Sequence, residues 1–429
     1  AGFSMTQARH TGFAKLSQKD VSAAAARHEM LYSGRMGGAR AVFAFCDLSG
    51  LDLSGRNLAD ADFTGAILEE INFDGAKLDS ASFFGCDLRR ANLAGASMRR
   101  ADMRGASLRG ANLIGADLFE ADLREGTIAE KDKYGNLRVL QHDLGPSELP
   151  AAMMNSANLE RAKMTGVVAV QADFTDAVMK GVRLTRANLR QARLTGANLE
   201  NADLSGCNLT GADMAGCILI GAQMDFATTH GADLTRTLKE TAKPDQEELD
   251  RLEAMLDAHS RWADSEGREG APADLTNMDL RHAKTLSHRS LTALIAPGAQ
   301  LYGVVLEGAS LQGSNLAGAD LRSAKLGGAD LRGVNLSGAL LNHADLRDTK
   351  LGPLMIAGAR LLPARLDNAQ MRYADLRGAD LRRVRLSGCD LSYANMGDVD
   401  LRDTETEGAD FSGAKLPIRF ADHLATATG

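Results

Sequence analysis

Nine histidines and five cysteines are the residues of this 429-residue chain best suited to hold a metal or act as nucleophiles. The histidines (His10, His28, His142, His230, His259, His282, His288, His343 and His423) form no helical i, i+4 pair, and only His282 and His288 are near neighbours. The cysteines Cys46, Cys86, Cys207, Cys217 and Cys389 form no C-x-x-C unit and no zinc-ligand spacing. Each instead stands two positions before a large apolar residue, where Ala is usual, which is the place of a small buried hydrophobe. Neither a G-x-x-x-x-G-K-[ST] phosphate loop nor a G-x-S-x-G elbow occurs. Asp and Asn are frequent before large apolar residues, but at a fixed repeat position, so their density does not mark paired catalytic carboxylates. The expectation is a non-enzymatic chain without metal or cofactor.

Residues suited to a partner are easier to find. Tyr373 and Tyr393 are twenty apart and predicted to stack on one outer face above Pro353, beside Arg372. Arg377, Arg382, Arg383 and Arg385 follow closely. Tyr beside Arg is the composition of protein-interface hot spots. Phe84 and Phe119 take outward positions among Arg89, Arg99, Arg104 and Arg109. Tyr134 and Trp262 complete the candidates, each in a stretch where the regular pattern fails. Net charge is −7, and the stretch around Phe84 is acidic, which speaks against direct nucleic-acid binding.

What must position these residues is a five-residue period. From Phe43 to Ile128 every fifth residue is Leu, Phe, Met or Ile, with a small residue two positions before it except at Leu51, Arg56 and Ile71. The large residues recur likewise from Leu159 to Leu234, except at Ala169 and Thr229, and from Leu301 to Leu416, except at Thr406. Five matches neither the helical period of 3.6 nor the strand period of 2. A chain that turns a corner every pentapeptide keeps both residues inside. Coils of twenty, four pentapeptides each, would stack as parallel strands. Phe43, Phe63 and Phe83, and likewise Asn72, Asn92 and Asn112, repeat at that interval as interior and exterior ladders.

Ala-Asp-Leu-Arg-Gly, Ala-Asn-Leu-Ala-Gly and Cys-Asp-Leu-Ser-Gly resemble the units of the pentapeptide repeat family. The resemblance implies an all-β solenoid, a right-handed quadrilateral parallel β-helix of about 15 coils. Short α-helical segments are expected at the N-terminus and in a central insertion. The resemblance also implies a partner: family members that protect DNA gyrase from quinolones are held to mimic B-DNA with an acidic rod. This chain departs from that pattern. Residues 274–416 carry 17 basic against 17 acidic residues, and no helical dimerisation module follows Leu416. A bacterial, cytoplasmic scaffold that binds another protein is therefore the first expectation, with gyrase modulation the alternative.

Breaks in the period set the expected segments. Residues 1–42 form an N-terminal helical cap, with Ser17 and Asp20 as a capping box. Residues 43–130 form a first β-helix segment, 131–156 a loop insertion that is hairpin-like at its start, and 157–236 a continuation. Residues 237–272 form a helical insertion opened by Pro244 and Asp245, with Leu249, Leu252, Leu256 and His259 on one face. Residues 273–416 form the second β-helix segment, and 417–429 a cap or tail. Residues 281–300 read as an irregular coil with a one-residue slip. His28 and Ala41 align with His259 and Ala273, so the chain reads as two tandem units, each a helix leading into a stack. Each helix either covers a strand edge of its own unit or, for the Leu249–Leu256 stripe, mediates a homodimer. No run of apolar residues is long enough to cross a membrane.

Overall fold

The computed structural model describes residues 13–126, 129–131, 137–139, 148–241, 243–283 and 285–417. Two compact units form, Ala1–Thr241 and Ala242–Gly429.

In the first unit the pentapeptides away from the two ends of the stack bury the large residue and the small one before it, as at Ala61 with Phe63 and Ala76 with Leu78. The residue between them bridges in parallel to its counterpart one coil on, as in Asp52–Asn72–Asn92–Asn112. These bridges run along four lines, begun at Val42, Asp47, Asp52 and Asn57. A turn follows each large residue: the Leu51 N–H donates to the Leu48 carbonyl at 3.2 Å. The N–H groups of Leu48 and Gly50 donate to Ile67 and Glu69 of the next coil. The backbone is thus satisfied by turns and neighbouring coils, which a solenoid without long strands requires. The third turn residue is left-handed, with φ 69° at Gly50, and this is why Gly recurs there. The result is a parallel β-helix.

The interior is filled as the twenty-residue interval demands. Phe63 stacks on Phe83 with centroids 5.0 Å apart and on Phe43 at 5.3 Å, while Phe73 meets Phe63 edge-on at 5.4 Å. Outside, Asn112 donates to Asn92 and Asn92 to Asn72, at 3.1 and 3.0 Å. The Cys86, Cys207, Cys217 and Cys389 thiols donate to carbonyls 23 residues earlier. Burial pushes the Cys207 and Cys389 thiols up to about 12, so neither supplies a thiolate near neutral pH.

Helix α1, Gln18–Tyr32, closes the head of this unit. Ser17 and Asp20 form its capping box. Val21 and Ala25 join the core, and the Gln18 amide pairs with both backbone groups of Asp52. His28 is fully buried; its Nδ1 accepts from the Ala41 N–H at 3.0 Å and its Nε2 lies 2.8 Å from the Ala59 carbonyl. An Nδ1 that accepts a backbone N–H carries no proton, so Nε2–H donates to Ala59.

The insertion is shorter than its expected 131–156 span. Strands Ala129–Lys131 and Leu137–Val139 pair antiparallel, and the coil resumes at Glu148, bridged to Ser107 and Val168. Leu149, Ala152 and Met154 are fully buried coil residues that the expected boundary had placed in the loop. The Lys-Tyr-Gly-Asn turn, with Tyr134, lies outside the described residues.

Helix α2, Gln246–Asp264, heads the second unit, capped by Asp245 and Glu248. Its Leu252 and Leu256 are buried in one cluster with Leu275, Leu280 and Leu291 of the same unit. Leu252 and Leu256 are therefore spent inside their own unit, as the edge-covering alternative expected, while Leu249 stays half-buried outside that cluster. Arg289 pairs with Glu253 and Asp257 of the helix. His259 repeats the His28 arrangement: it is fully buried, and its Nδ1 accepts from the Ala273 N–H at 3.0 Å. Burial holds its pKa below the ordinary 6.5, against the opposing pull of the backbone at Thr292 and Leu291. The unfolded chain then takes up this proton first on acidification, so the stabilisation is full above about pH 6.5 and is lost as pH falls through the lower folded value. His259→Gln, which keeps an acceptor but does not titrate, is expected to flatten part of the fall in melting temperature between pH 7.5 and 5.5. Parallel parent and variant profiles would contradict this.

The 281–300 stretch is also more regular than expected. Leu286, Leu291, Ala296 and Leu301 are buried at five-residue spacing, and the slip is one extra residue between Leu280 and Leu286. Beyond it the largest departure from expectation occurs. Asn335 bridges to Arg365, thirty residues on instead of twenty, because a hairpin leaves the coil between Leu351 and Ala364. Its strands are Leu354–Ile356 and Arg360–Leu362. Ile356 and Leu361, which fit the period as interior residues, are 37% and 38% exposed. The insertion is two pentapeptides long, so it leaves the phase unchanged.

Arg322 follows the buried Leu321 and so falls at an outward position of the repeat, yet it is only 4% exposed and pairs with Asp320 at 2.6 Å. The repeat's inside and outside are better compared at Ala319, fully buried, and Lys350, exposed. Ala319→Leu is expected to destabilise by about 1–3 kcal/mol through overpacking. Lys350→Ala should stay within about 0.5 kcal/mol. Equal shifts in denaturant midpoint would contradict the packing described.

Candidate functional site

Asp-Leu-Arg units recur on the outer wall, most densely in the second unit, and their geometry decides what that part of the wall can do. Asp precedes the buried residue and Arg follows it, so both side chains leave the coil on the same side, two residues apart. In Arg377 the guanidinium Nε and Nη2 donate to the two Asp375 oxygens at 2.9 and 2.7 Å. Arg382 does the same with Asp380, Arg402 with Asp400, Arg347 with Asp345, and Arg104 with Asp102. The Arg partners hold the carboxyls of Asp345, Asp375, Asp380 and Asp400 below their ordinary value. Bidentate pairing of this kind is the stronger form of an ion pair.

The Arg372–Arg385 cluster is accordingly not a free basic patch. Arg383 faces Asp403 at 3.4 Å, and Arg385 lies 3.2 Å from Glu405 and 3.5 Å from Asp367. The Arg372 guanidinium lies 3.8 Å from Asp390, and the Arg372 backbone N–H donates to the Asn342 amide oxygen. A polyanion would have to compete with an internal carboxylate at each of these positions.

Tyr373 and Tyr393 do stack, 5.1 Å apart and 5° from parallel. The ring preceding them is His343, 5.1 Å from Tyr373, not Pro353. The ten-residue hairpin moves Pro353 out of the column; it lines a hollow with Arg332, Arg382 and Arg402. Tyr393 lies over Gly413, where an added Cβ would come within 2.6 Å of the ring. The ladder therefore braces neighbouring coils.

Phe84 and Arg104 stand at the root of the 129–139 hairpin. The guanidinium lies 5.1 Å from the Phe84 ring centre, and a Cβ at Gly126 would meet that ring at 2.6 Å. Phe119 is covered by Arg99 at 4.4 Å. Trp262 is half-buried, 5.5 Å from the His259 ring and against Gly267. These aromatic residues are largely committed to the fold. No group of three or more His, Cys, Asp or Glu is placed to hold a metal among the described residues, and no helix there is long and apolar enough to cross a membrane.

What sequence reasoning missed is the 354–362 hairpin. Leu354 and Leu362 lie against Gly333, where a Cβ would come within 2.8 and 3.1 Å of them. Met355 is 69% exposed, and Ile356, Leu361 and Leu362 are each exposed by more than a third. Pro353 and Pro363, one on each side, were the available signal, since Pro removes a ladder donor.

The family model for Pentapeptide repeats matches residues 39–124, 152–236, 299–352 and 364–416, more than half of the chain. The chain belongs to the pentapeptide repeat family. The unmatched stretches of this family member include both hairpins. No curated protein matches it. Among solved structures it is similar to the pentapeptide repeat protein HetL of Nostoc sp. strain PCC 7120, involved in heterocyst differentiation regulation. Identity is 24% over 75% of this chain and 90% of that one, with a TM-score of 0.24. Rfr23 of Cyanothece 51142 is 25% identical over 32% of this chain and 91% of its own, with a TM-score of 0.24. The plasmid-mediated fluoroquinolone resistance protein QnrB1 is 18% identical over 46% and 91%, with a TM-score of 0.25. Likeness at this level carries no argument about function.

Proposed function

We propose that this pentapeptide repeat protein is a non-enzymatic scaffold that binds another protein, and that its β-helix is right-handed and four-sided. The observation that carries the reading is the 354–362 hairpin, which puts apolar side chains into solvent from a wall whose neighbouring Asp-Leu-Arg units pair their own charges. Loops on rigid supports are the usual carriers of binding function, and exposed apolar clusters on a polar surface mark contact sites. A bacterial cytoplasmic setting belongs to the proposal and is supported by five free cysteines, the mark of a reducing compartment.

Gyrase modulation by DNA mimicry has less support, because the Asp carboxylates that would imitate phosphates are neutralised by their own repeat's Arg. A supercoiling assay with quinolone present should show no protection at large excess.

The scaffold reading is tested by placing a photo-crosslinking amino acid at position 355 and, as control, at exposed position 350, in the source cells. A discrete adduct from 355 alone is expected. Identical adduct patterns from both positions would overturn the reading.

A further inference from the structure

The register of the hairpin pairs Leu354 with Leu362, Met355 with Leu361 and Ile356 with Arg360. Successive strand residues point to opposite faces. Leu354 and Leu362 face the coil at Gly313 and Gly333, which leaves Met355 and Leu361 as a second apolar face turned away from it. A two-stranded ribbon seated on one face needs no second apolar face for its own packing. Charge adds direction. No acidic residue occurs between Asp348 and Asp367, in a chain whose net charge is −7, whereas Lys350, Arg360 and Arg365 all fall there. Arg365 is paired with Asp367 at 3.2 Å; exposed Arg360 has no ion-pair partner among the described residues.

Ile356 and Arg360 take the other side of the ribbon, but at its tip, beside the Ala357–Ala359 turn, where both are exposed. From these observations we infer that the hairpin docks a short apolar segment of a partner protein, which lies over Met355 and Leu361 and carries a carboxylate past the tip to Arg360. The inference rests on the scaffold reading and adds the partner's chemistry. A second copy of this chain fits less well, because a stable interface takes about 800 Å² from each side and the exposed face is a few side chains wide. A bilayer fits less well too, since leaflet-binding segments carry clusters of Lys and Arg, whereas Arg365 is paired here and Arg360 stands as a single charge at the hairpin.

The test is selection of a displayed library of random short peptides on the full chain. Counter-selection on Met355→Asp, an exposed position where folding is verified by an unchanged melting temperature, isolates the hairpin binders. Synthetic copies of the winners are expected to combine apolar residues with Asp or Glu. They should bind about tenfold more weakly to Arg360→Glu, and regain affinity for that variant when their acid is changed to Lys. Hairpin-dependent peptides indifferent to Arg360→Glu would overturn the carboxylate contact and leave the scaffold reading standing. If no selected peptide depends on the hairpin, the docking assignment is wrong. Two further arms decide the occupant. A concentration-dependent dimer abolished by Met355→Asp would give the face to a second copy. Hairpin-dependent sedimentation with phosphatidylcholine–phosphatidylglycerol vesicles would give it to a membrane.

Discussion

Phe63→Ala is expected to cost the first unit about 3–5 kcal/mol, the range for removing a buried aromatic ring. Phe63 touches three other rings, stacked on Phe43 and Phe83 and edge-on to Phe73, and is fully buried. Coils fixed by backbone bonds on both sides cannot close in on the space left. The cavity term therefore adds to the lost transfer energy. The check is denaturant unfolding followed by circular dichroism, with Trp262, the single tryptophan and in the other unit, as internal reference. A loss under about 1 kcal/mol would mean that the stack forms no continuous core.

Leu256→Ala should cost the second unit about 2–5 kcal/mol, because this fully buried side chain joins α2 to the coil core. Trp262 lies on the same helix and reports the change directly. The particle mass should not change. A drop in mass with little loss of stability would favour the dimer contact that burial of Leu252 and Leu256 argues against.

The period of five was the most legible feature of the sequence, because a corner at each pentapeptide allows only two residues of five inside. Phe43, Phe63 and Phe83, and the Asn ladder, followed from it by counting. The capping box was legible at Ser17 because its partner Asp20 is local, and Pro244 and Asp245 marked the start of the second helix. The 354–362 hairpin was hidden by arithmetic: ten inserted residues return the chain to the same phase, and Ile356 and Leu361 are chemically ordinary interior residues. The candidate site failed for a related reason. Sequence shows that Arg377 and Arg382 cluster, but not that each is claimed by the Asp two positions before it; that depends on both side chains leaving one coil face. Tyr373 and Tyr393 were correctly paired, while the ring below them was misassigned by the same ten residues.

The most direct measurement excises residues 354–363 and replaces Pro353 with Gly, so that Leu351 runs through one turn into Ala364 with the twenty-residue interval restored. The account predicts a chain whose melting temperature stays within a few degrees of the parent's and which no longer binds the peptides selected on the intact hairpin. A collapsed fold would make the hairpin a structural element, and retained binding would place the partner surface elsewhere on the wall; either result contradicts the account.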